Sequence, residues 1–322
     1  MDRKPLREYT HKADSFLSID NGQYKQWVFR YTFLELEKDL STKGDITSNS
    51  IFVESKIVTG QIMAKEDGIF AGRDEIQYFL IDSDPKFRPG IKGNFKVDFN
   101  VKDGGAFKKG DILIEITADV KDLLMVERVV LNLIMRMSAI ATKTYQMREL
   151  LKNYDVLITP TRKTLWGLID KRAVIVGGGG SHRINLSDAI LVKDTHLDVI
   201  GRDFRLVLQR IADSKVDARF VEIEVESVEE VLDVCRAFGE FLGSKIRSIG
   251  VILMDNMSAI DTAKAMEEVK KAGLHENLLF EASGGINEKT ALEYAKTGVD
   301  IISMGCLTSG IRGLDMSLKV VG

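Results

Sequence analysis

Arg162, Lys163, His182, Arg183 and Lys193 crowd into the stretch from Thr159 to Leu197, around two short apolar runs. Crowding like charges adds nothing to stability, so the reason for the cluster is a polyanionic ligand. Residues 155–158 read as a strand, and Pro160 biases the residue before it away from helix, so Thr161-Arg162-Lys163-Thr164 sits just past a strand end. Residues 173–176 read as a second strand that runs into Gly177, Gly178, Gly179 and Gly180. Glycines there let the backbone turn sharply and leave room for a ligand beside the main chain. His182 and Arg183 follow at once, and a third run at 189–192 delivers Lys193 and Asp194 at its end.

The elements that must position these groups follow from the rest of the chain. Apolar runs at 155–158, 173–176, 189–192, 219–225, 249–254, 278–280 and 299–303 are separated, from the third onward, by segments with helical spacing such as 229–241, 259–272 and 289–296. Strand and helix alternating in this way imply a parallel sheet with right-handed crossovers. Distinctive residues sit at the carboxyl end of nearly every run: Glu224 closes one, Asp255 another, and Ser283 and Gly305 follow the last two. An α/β barrel builds its active site at that face. The segment is too short for the eight units of a barrel of about 250 residues, which leaves six or seven strands and an incomplete barrel.

Upstream the pattern differs. Residues 1–25 are polar and form either a flexible arm or a short helical lead-in, and Trp27 to Leu40 fits an amphipathic helix imperfectly. From Ile51 to Ala118 short alternating runs broken by glycine predict several β-strands joined by tight turns. Val126 to Leu151 reads as one long helix or two close ones, with Arg128 near its start. Asp45 reads as a turn or capping carboxylate, Ser138, Cys235 and Cys306 as structural, His11 and His275 as surface residues, and His196 as a cap or packing group more than a ligand. Residues after Thr308 form a turn and a strand that returns to the first domain. The expected division is 1–125, joined by 308–322, and 126–307.

Composition bounds the partners. Lys and Arg total 45 against 48 Asp and Glu, a formal charge of −3, which argues against a general nucleic-acid surface. Two cysteines offer no disulfide framework, so a reducing cytoplasm is the natural compartment. No apolar run approaches the roughly 18 residues of a bilayer span, and the N-terminus has no signal-like apolar region. A soluble, unprocessed protein with no membrane partner is expected.

The motifs in register resemble the quinolinate phosphoribosyltransferase family. They are Glu127-Arg128 with Asn132, the Thr161–Thr164 tetrad, Gly178-Gly179-Gly180 with His182-Arg183, Lys193-Asp194 with His196, Glu222-Ile223-Glu224, Asp255-Asn256, Ser283-Gly284-Gly285-Ile286 and Ser303-Met304-Gly305. The resemblance implies an N-terminal α/β sandwich domain beside an incomplete barrel of the type II phosphoribosyltransferase kind. It implies transfer of phosphoribosyl from phosphoribosyl pyrophosphate to quinolinate, giving nicotinate mononucleotide, pyrophosphate and CO2 for NAD biosynthesis. Under that reading Arg162, Arg183 and a neighbouring subunit's Arg128 hold the pyridine carboxylates in a homodimer or higher homo-oligomer with shared active sites. Lys163, His182 and Lys193 complete the pocket toward the phosphates. Glu224 and Asp255 hold Mg2+ at the pyrophosphate, and backbone N–H groups of Ser283, Gly284, Gly285 and Gly305 cradle the 5′-phosphate.

The chain departs from the family pattern at a few positions. Leu165-Trp166 stands where Thr-Pro is usual, Ala139 where a glycine is, and Ser181 where an asparagine is common. Every charged position is intact, so these changes bear on which aromatic acid is bound. Two other readings remain: a paralogue acting on another pyridine or azole acid, such as the one associated with molybdate transport, and a non-catalytic phosphosugar-binding protein. Retention of both Glu224 and Asp255 speaks against a mere binder.

Overall fold

A computed structural model describes residues 3–243 and 245–321. The first two residues of the expected lead-in and the last residue of the expected closing strand lie outside them. The described residues group into two compact units. One comprises the chain up to Ala13 together with Gln146–Lys163 and Gly179–Ser309; the other comprises Asp14–Tyr145, Thr164–Gly178 and the chain from Gly310 on. No described helix is long and apolar enough to cross a membrane.

The first unit is built on six parallel strands: β1 (Leu157–Thr159), β2 (Ile190–Val192), β3 (Phe220–Val225), β4 (Ile249–Asp255), β5 (Leu278–Ser283) and β6 (Ile301–Ser303). Their spatial order is β1-β6-β5-β4-β3-β2. Six is the lower of the two strand numbers expected, and the difference has one source. Residues 173–176 are not a strand; they end the helix Leu168–Val176. That helix buries Ile169, Ala173, Val174 and Ile175, and an apolar run buried on all sides looks the same in sequence whether helical or extended. Strands β3 and β5 are buried at every position, as a parallel strand covered on both faces should be. The crossover helices begin where serines cap them, Ser227 accepting from the Glu230 amide at 3.2 Å and Ser258 from the Asp261 amide at 3.1 Å.

Period-two alternation then sets up layers inside the sheet's concave face. Phe220, Val251, Leu279 and Ile301 join Ala189 in an apolar floor. Two residues further along, Glu222 and Glu281 are fully buried, and two further again come Glu224, Asp255 and Ser283.

The N-terminal residues are the helix Arg3–His11, so the helical lead-in is the form observed. His11 is not a surface residue, as expected from sequence, but fully buried. His275 is half-buried with its ring stacked on Phe280, centroids 5.5 Å apart, so neither histidine is a free surface group.

The second unit holds a four-stranded antiparallel sheet in the order Met316–Val321, Ile57–Ala64, Ile112–Asp119, Lys96–Phe99. The strand after Thr308 therefore does join the N-terminal sheet. Val58, Ile62 and Ala64 alternate inward along its first strand. The helix Gly22–Leu40 is capped by Asn21, and Asp45 caps the short helix Ile46–Ile51, accepting from the Thr47 and Ser48 amides at 3.0 Å. Val120–Leu151 is a single helix of 32 residues. Ser138 has the structural role expected, its hydroxyl accepting from the Ala71 amide at 3.1 Å.

Within this unit the Leu165-Trp166 departure is held by a buried ion pair. Arg136 meets Asp170 through two bonds of 2.7 Å, and Asp170 also accepts from the Leu165 and Trp166 amides at 2.9 and 3.1 Å. Tyr31 packs on the Trp166 ring with centroids 4.5 Å apart. Replacing Asp170 with alanine leaves a buried guanidinium and two amides uncompensated, so urea unfolding should show a loss of about 3–5 kcal/mol. A loss below about 1 kcal/mol would mean that the pair is not what fixes this loop.

Candidate active site

Past the carboxyl ends of the six strands the first unit opens into a cleft of about 640 Å3. Arg162, Lys163, His182, Arg183, Lys193, Glu224, Asp255, Ser283, Gly284, Gly285 and Gly305 all line it. Nearly every site residue expected from sequence is thus brought to one place, at the face where α/β barrels do their chemistry. Arg128 is the exception. It lies in the other unit, exposed on the long helix, with Glu127 at 3.9 Å as its ion-pair neighbour.

The cationic wall is under electrostatic tension. Arg183 is buried, and burial followed by repulsion from Arg162 lowers its guanidinium pKa from the usual value. Among the described residues Arg162 and Lys163 have no ion-pair partner, and both are exposed to the cleft's solvent. Such a wall gains most from a ligand that brings several negative charges.

Opposite stand the two carboxylates. Glu224 is held by the Asp194 amide at 3.3 Å and faces Lys193 Nζ at 3.7 Å. Asp255 accepts from Asn256 Nδ2 at 2.7 Å. Burial raises both pKa values, and for Glu224 the neighbouring Asp255 adds to the rise while Lys193 opposes it. Two ionised carboxylates that repel each other suit a divalent cation, and magnesium takes a few carboxylates with the remaining oxygens from substrate. The donor set therefore fits that ion.

Ser283 and the two glycines turn the chain at the end of β5. Gly284 has φ +97°, and a Cβ there would lie 2.7 Å from Asn256 Cα and 2.5 Å from its amide nitrogen. Only glycine allows the β5 turn to pass so close to the residue after Asp255. Asn256 itself sits at φ 54°, a conformation asparagine tolerates better than most residues.

His182, expected to help complete the pocket, lines the cleft, and its ring is also held by the protein. Its Nδ1 accepts from the Arg183 amide at 2.7 Å, and its Nε2 faces Glu281 Oε1 at 3.2 Å and Glu222 Oε2 at 3.5 Å. Both ring nitrogens are engaged by the protein, although the residue borders the cleft. Burial and the adjacent Glu281 push the Glu222 carboxyl well above its ordinary range; burial acts the same way on Glu281, but attraction to His182 and His11 outweighs it and holds that carboxyl well below.

Several lining residues carry no sequence signal strong enough to single them out: Leu191, Leu253 and Cys306 among them. Leu253 is legible in principle, because it lies two residues before Asp255 on the same strand face. Cys306, expected to be structural, reaches the cleft edge with its thiol directed at the Ile286 carbonyl at 3.5 Å. Cys235, by contrast, is buried away from it. His196 does not line the cleft and accepts from the Lys193 amide at 2.9 Å, which is the capping role weighed against ligation.

Comparison with known proteins finds relatives over most of the chain. Residues 45–138 match the family described as "Quinolinate phosphoribosyl transferase, N-terminal domain", and residues 140–319 match "Quinolinate phosphoribosyl transferase, C-terminal domain". The chain is similar to a probable nicotinate-nucleotide pyrophosphorylase [carboxylating] of Methanocaldococcus jannaschii, 35% identical over 303 residues, covering 92% of this chain and 98% of that one. A protein of the same name from Methanothermobacter thermautotrophicus is 32% identical over 86% of this chain and 94% of its own. The crystal structure of nicotinate-nucleotide pyrophosphorylase from Ehrlichia chaffeensis superposes with a TM-score of 0.77 at 30% identity, covering 92% and 98% of the two chains.

Replacing Gly284 with alanine should push the Asn256 backbone away and with it Asp255. The expected result is a loss of about 1–3 kcal/mol in stability from the left-handed conformation alone, with affinity for phosphoribosyl pyrophosphate weakened by calorimetry. Unchanged affinity would remove the tight turn from the phosphate site.

Proposed function

Because the chain belongs to the quinolinate phosphoribosyl transferase family, we propose that it transfers phosphoribosyl from phosphoribosyl pyrophosphate to quinolinate. The products are nicotinate mononucleotide, pyrophosphate and CO2, a step that supplies NAD biosynthesis. The observation that carries this reading is a single cleft with a self-repelling cationic wall on one side and a self-repelling carboxylate pair on the other. A dicarboxylate fits the first, and a metal-bound pyrophosphate fits the second.

The pyridine nitrogen brings its own lone pair, forms the bond to C1 of the ribose, and pyrophosphate leaves with the electrons of the broken C1–O bond. The ring then carries positive charge, the 2-carboxylate departs as CO2, and a proton takes its place on the ring carbon. No protein nucleophile is required, and catalysis is positioning and electrostatics. Arg162 and Arg183 grip the carboxylates, with Lys163 beside them; a guanidinium offers two parallel donors to each. Lys193 faces the leaving pyrophosphate, and the backbone N–H groups of Ser283, Gly284, Gly285 and Gly305 receive the 5′-phosphate. His182 borders the acid without a free ring nitrogen. Glu224 and Asp255 would hold Mg2+, which when bound would supply positive charge to offset that on the pyrophosphate. The two free cysteines fit a reducing cytoplasm.

The direct test is product analysis. Incubation with phosphoribosyl pyrophosphate, Mg2+ and quinolinate should give nicotinate mononucleotide and CO2, with nicotinate and nicotinamide as much poorer acceptors. Trp166, packed on Tyr31 where the family usually has proline, is the residue that favours testing other acids. Release of pyrophosphate with a different pyridine or azole acid, and none with quinolinate, would transfer the reading to a paralogous acceptor.

We further propose that the working unit is a dimer in which Arg128 completes the neighbour's cleft. Its exposed position on the long helix, with Glu127 at 3.9 Å as its one ion-pair neighbour among the described residues, supports this. Arg128→Ala and Arg162→Ala chains, each nearly inactive, should complement on mixing. Random exchange makes about half the dimers mixed, each with one intact site of two, so about a quarter of parent activity should return. Verified exchange without recovered activity would show that Arg128 serves no neighbouring site.

A further inference from the structure

The first unit's N-terminal helix is legible in sequence only as a polar lead-in, yet it is tied into the amino ends of the barrel strands. Arg3 meets Asp300 through two bonds of 2.6 Å and donates to the Leu278 and His275 carbonyls at 2.5 and 2.8 Å. Arg7 pairs with the Asp155 carboxylate and donates to its carbonyl at 2.7 Å. These contacts clamp the helix below β1, β5 and β6.

From its last residue His11 projects into the barrel. The ring stacks on Phe220 of the apolar floor, centroids 4.8 Å apart, and meets the His182 ring edge-on at 5.1 Å. Its Nε2 lies 2.9 Å from Glu281 Oε2, while the other oxygen of Glu281 lies 3.2 Å from His182 Nε2. One carboxylate therefore bridges an imidazole of the N-terminal helix and an imidazole that borders the cleft. The backbone repeats the connection. The Ser181 amide donates to the His11 carbonyl at 2.6 Å, the Ala13 amide donates to Ser181 Oγ at 3.1 Å, and a Cβ on Gly180 would run into the His11 carbonyl.

Two histidines and two glutamates whose donor atoms lie within 4.8 Å of one another are also a conceivable metal set. Hydrogen bonding assigns them otherwise. The Arg183 amide donates to His182 Nδ1, so the neutral ring carries its proton on Nε2 and has no lone pair there for a metal. Thr10 Oγ1, 2.8 Å from His11 Nδ1, donates its proton there in the tautomer that suits Glu281, so the neutral His11 ring carries its own proton on Nε2, directed at the carboxylate, and has no lone pair there for a metal either. The cluster is built to hold rings in place.

We propose that His11 is a positioning residue for the cleft: through Glu281 it fixes the His182 imidazole and the backbone turn that delivers Arg183. The turn needs such support, because His182 sits at φ 55° and its amide neighbour Arg183 is buried beside another guanidinium. The ligand affected is the pyridine dicarboxylate, since Arg183 faces it. The kinetic part of the test rests on the transferase reading; the spectroscopic part does not.

Two replacements separate the ring nitrogens. His11→Asn keeps an amide where Nδ1 sits and loses the group that reaches Glu281, whereas His11→Gln keeps one where Nε2 sits. His11→Asn should raise KM for quinolinate about tenfold, with kcat and KM for phosphoribosyl pyrophosphate changed less than about twofold, and His11→Gln should stay within about threefold of the parent. The chain has four histidines, so 15N imidazole spectra of the whole protein can be assigned by substitution. The His182 ring signals should move in His11→Asn and return toward the parent in His11→Gln, whether or not quinolinate proves to be the acceptor. Should His11→Asn not fold, His11→Phe, which keeps the stacking on Phe220 without nitrogens, carries the same expectation. Parent-like KM values and His182 signals in the Asn or Phe variant would overturn the proposal. So would equal losses in Asn and Gln that track melting temperature, or one equivalent of a transition metal in the purified protein.

Discussion

Two carboxyl groups buried in the middle of a parallel barrel are the constraint around which the first unit is arranged. An unpaired buried carboxylate costs several kcal/mol, and Glu222 and Glu281 sit together in the same interior with no water-facing edge. Lysine or arginine would meet the charge but would fill the cleft above. The chain uses imidazoles, which are compact, flat enough to stack on Phe220, and able to face a carboxylate from one edge. Meeting that demand dictates a left-handed residue at His182, a close backbone approach at Gly180, and an N-terminal helix clamped by two arginines. Features that look unrelated in the sequence answer one electrostatic problem.

The same logic, inverted, shapes the cleft. There the charges are left incompletely matched, with guanidiniums beside guanidiniums and carboxylate beside carboxylate. Interior charges that repel are stability given up for affinity, and they become favourable only when a ligand of opposite sign arrives. On the proposed reading, separation of the two signs across one cavity would also order the substrates, with the organic acid against one wall and the pyrophosphate against the other. That order would put the pyridine nitrogen and the ribose carbon between them.

Much of this is legible in the chain. The strand ends announce themselves because each apolar run stops at a charged or glycine residue, and period-two alternation carries those residues to one face. The serine caps of the crossover helices and the Asp45 cap follow from side-chain chemistry alone. Residues 173–176 mislead because four consecutive apolar residues, three of them buried, lack a period, and the preceding Asp170 gives no hint that it will bind Arg136 inside the protein. His11 and Glu281 are hidden for another reason. They meet each other across about 270 residues of sequence, and a polar segment that closes a barrel from below has the same composition as one that hangs free. Arg3 and Arg7 read as scattered charges for the same cause.

The closing strand of the second unit has a consequence for how the protein is made. Ala64 pairs with Met316 and Thr59 with Val321, so the strand Ile57–Ala64 lacks one neighbour until about 250 further residues have been synthesised. At roughly 5–20 residues per second that interval is on the order of 10–50 s. Throughout it, a nascent chain presents an unpaired row of amides and carbonyls on an apolar strand, an open invitation to a neighbouring nascent chain on the same message. Slow translation, crowded polysomes or a ribosome stalled ahead of Met316 would expose that edge longest, and the yield of native protein should depend on the tempo of the codons that lead up to Met316–Val321.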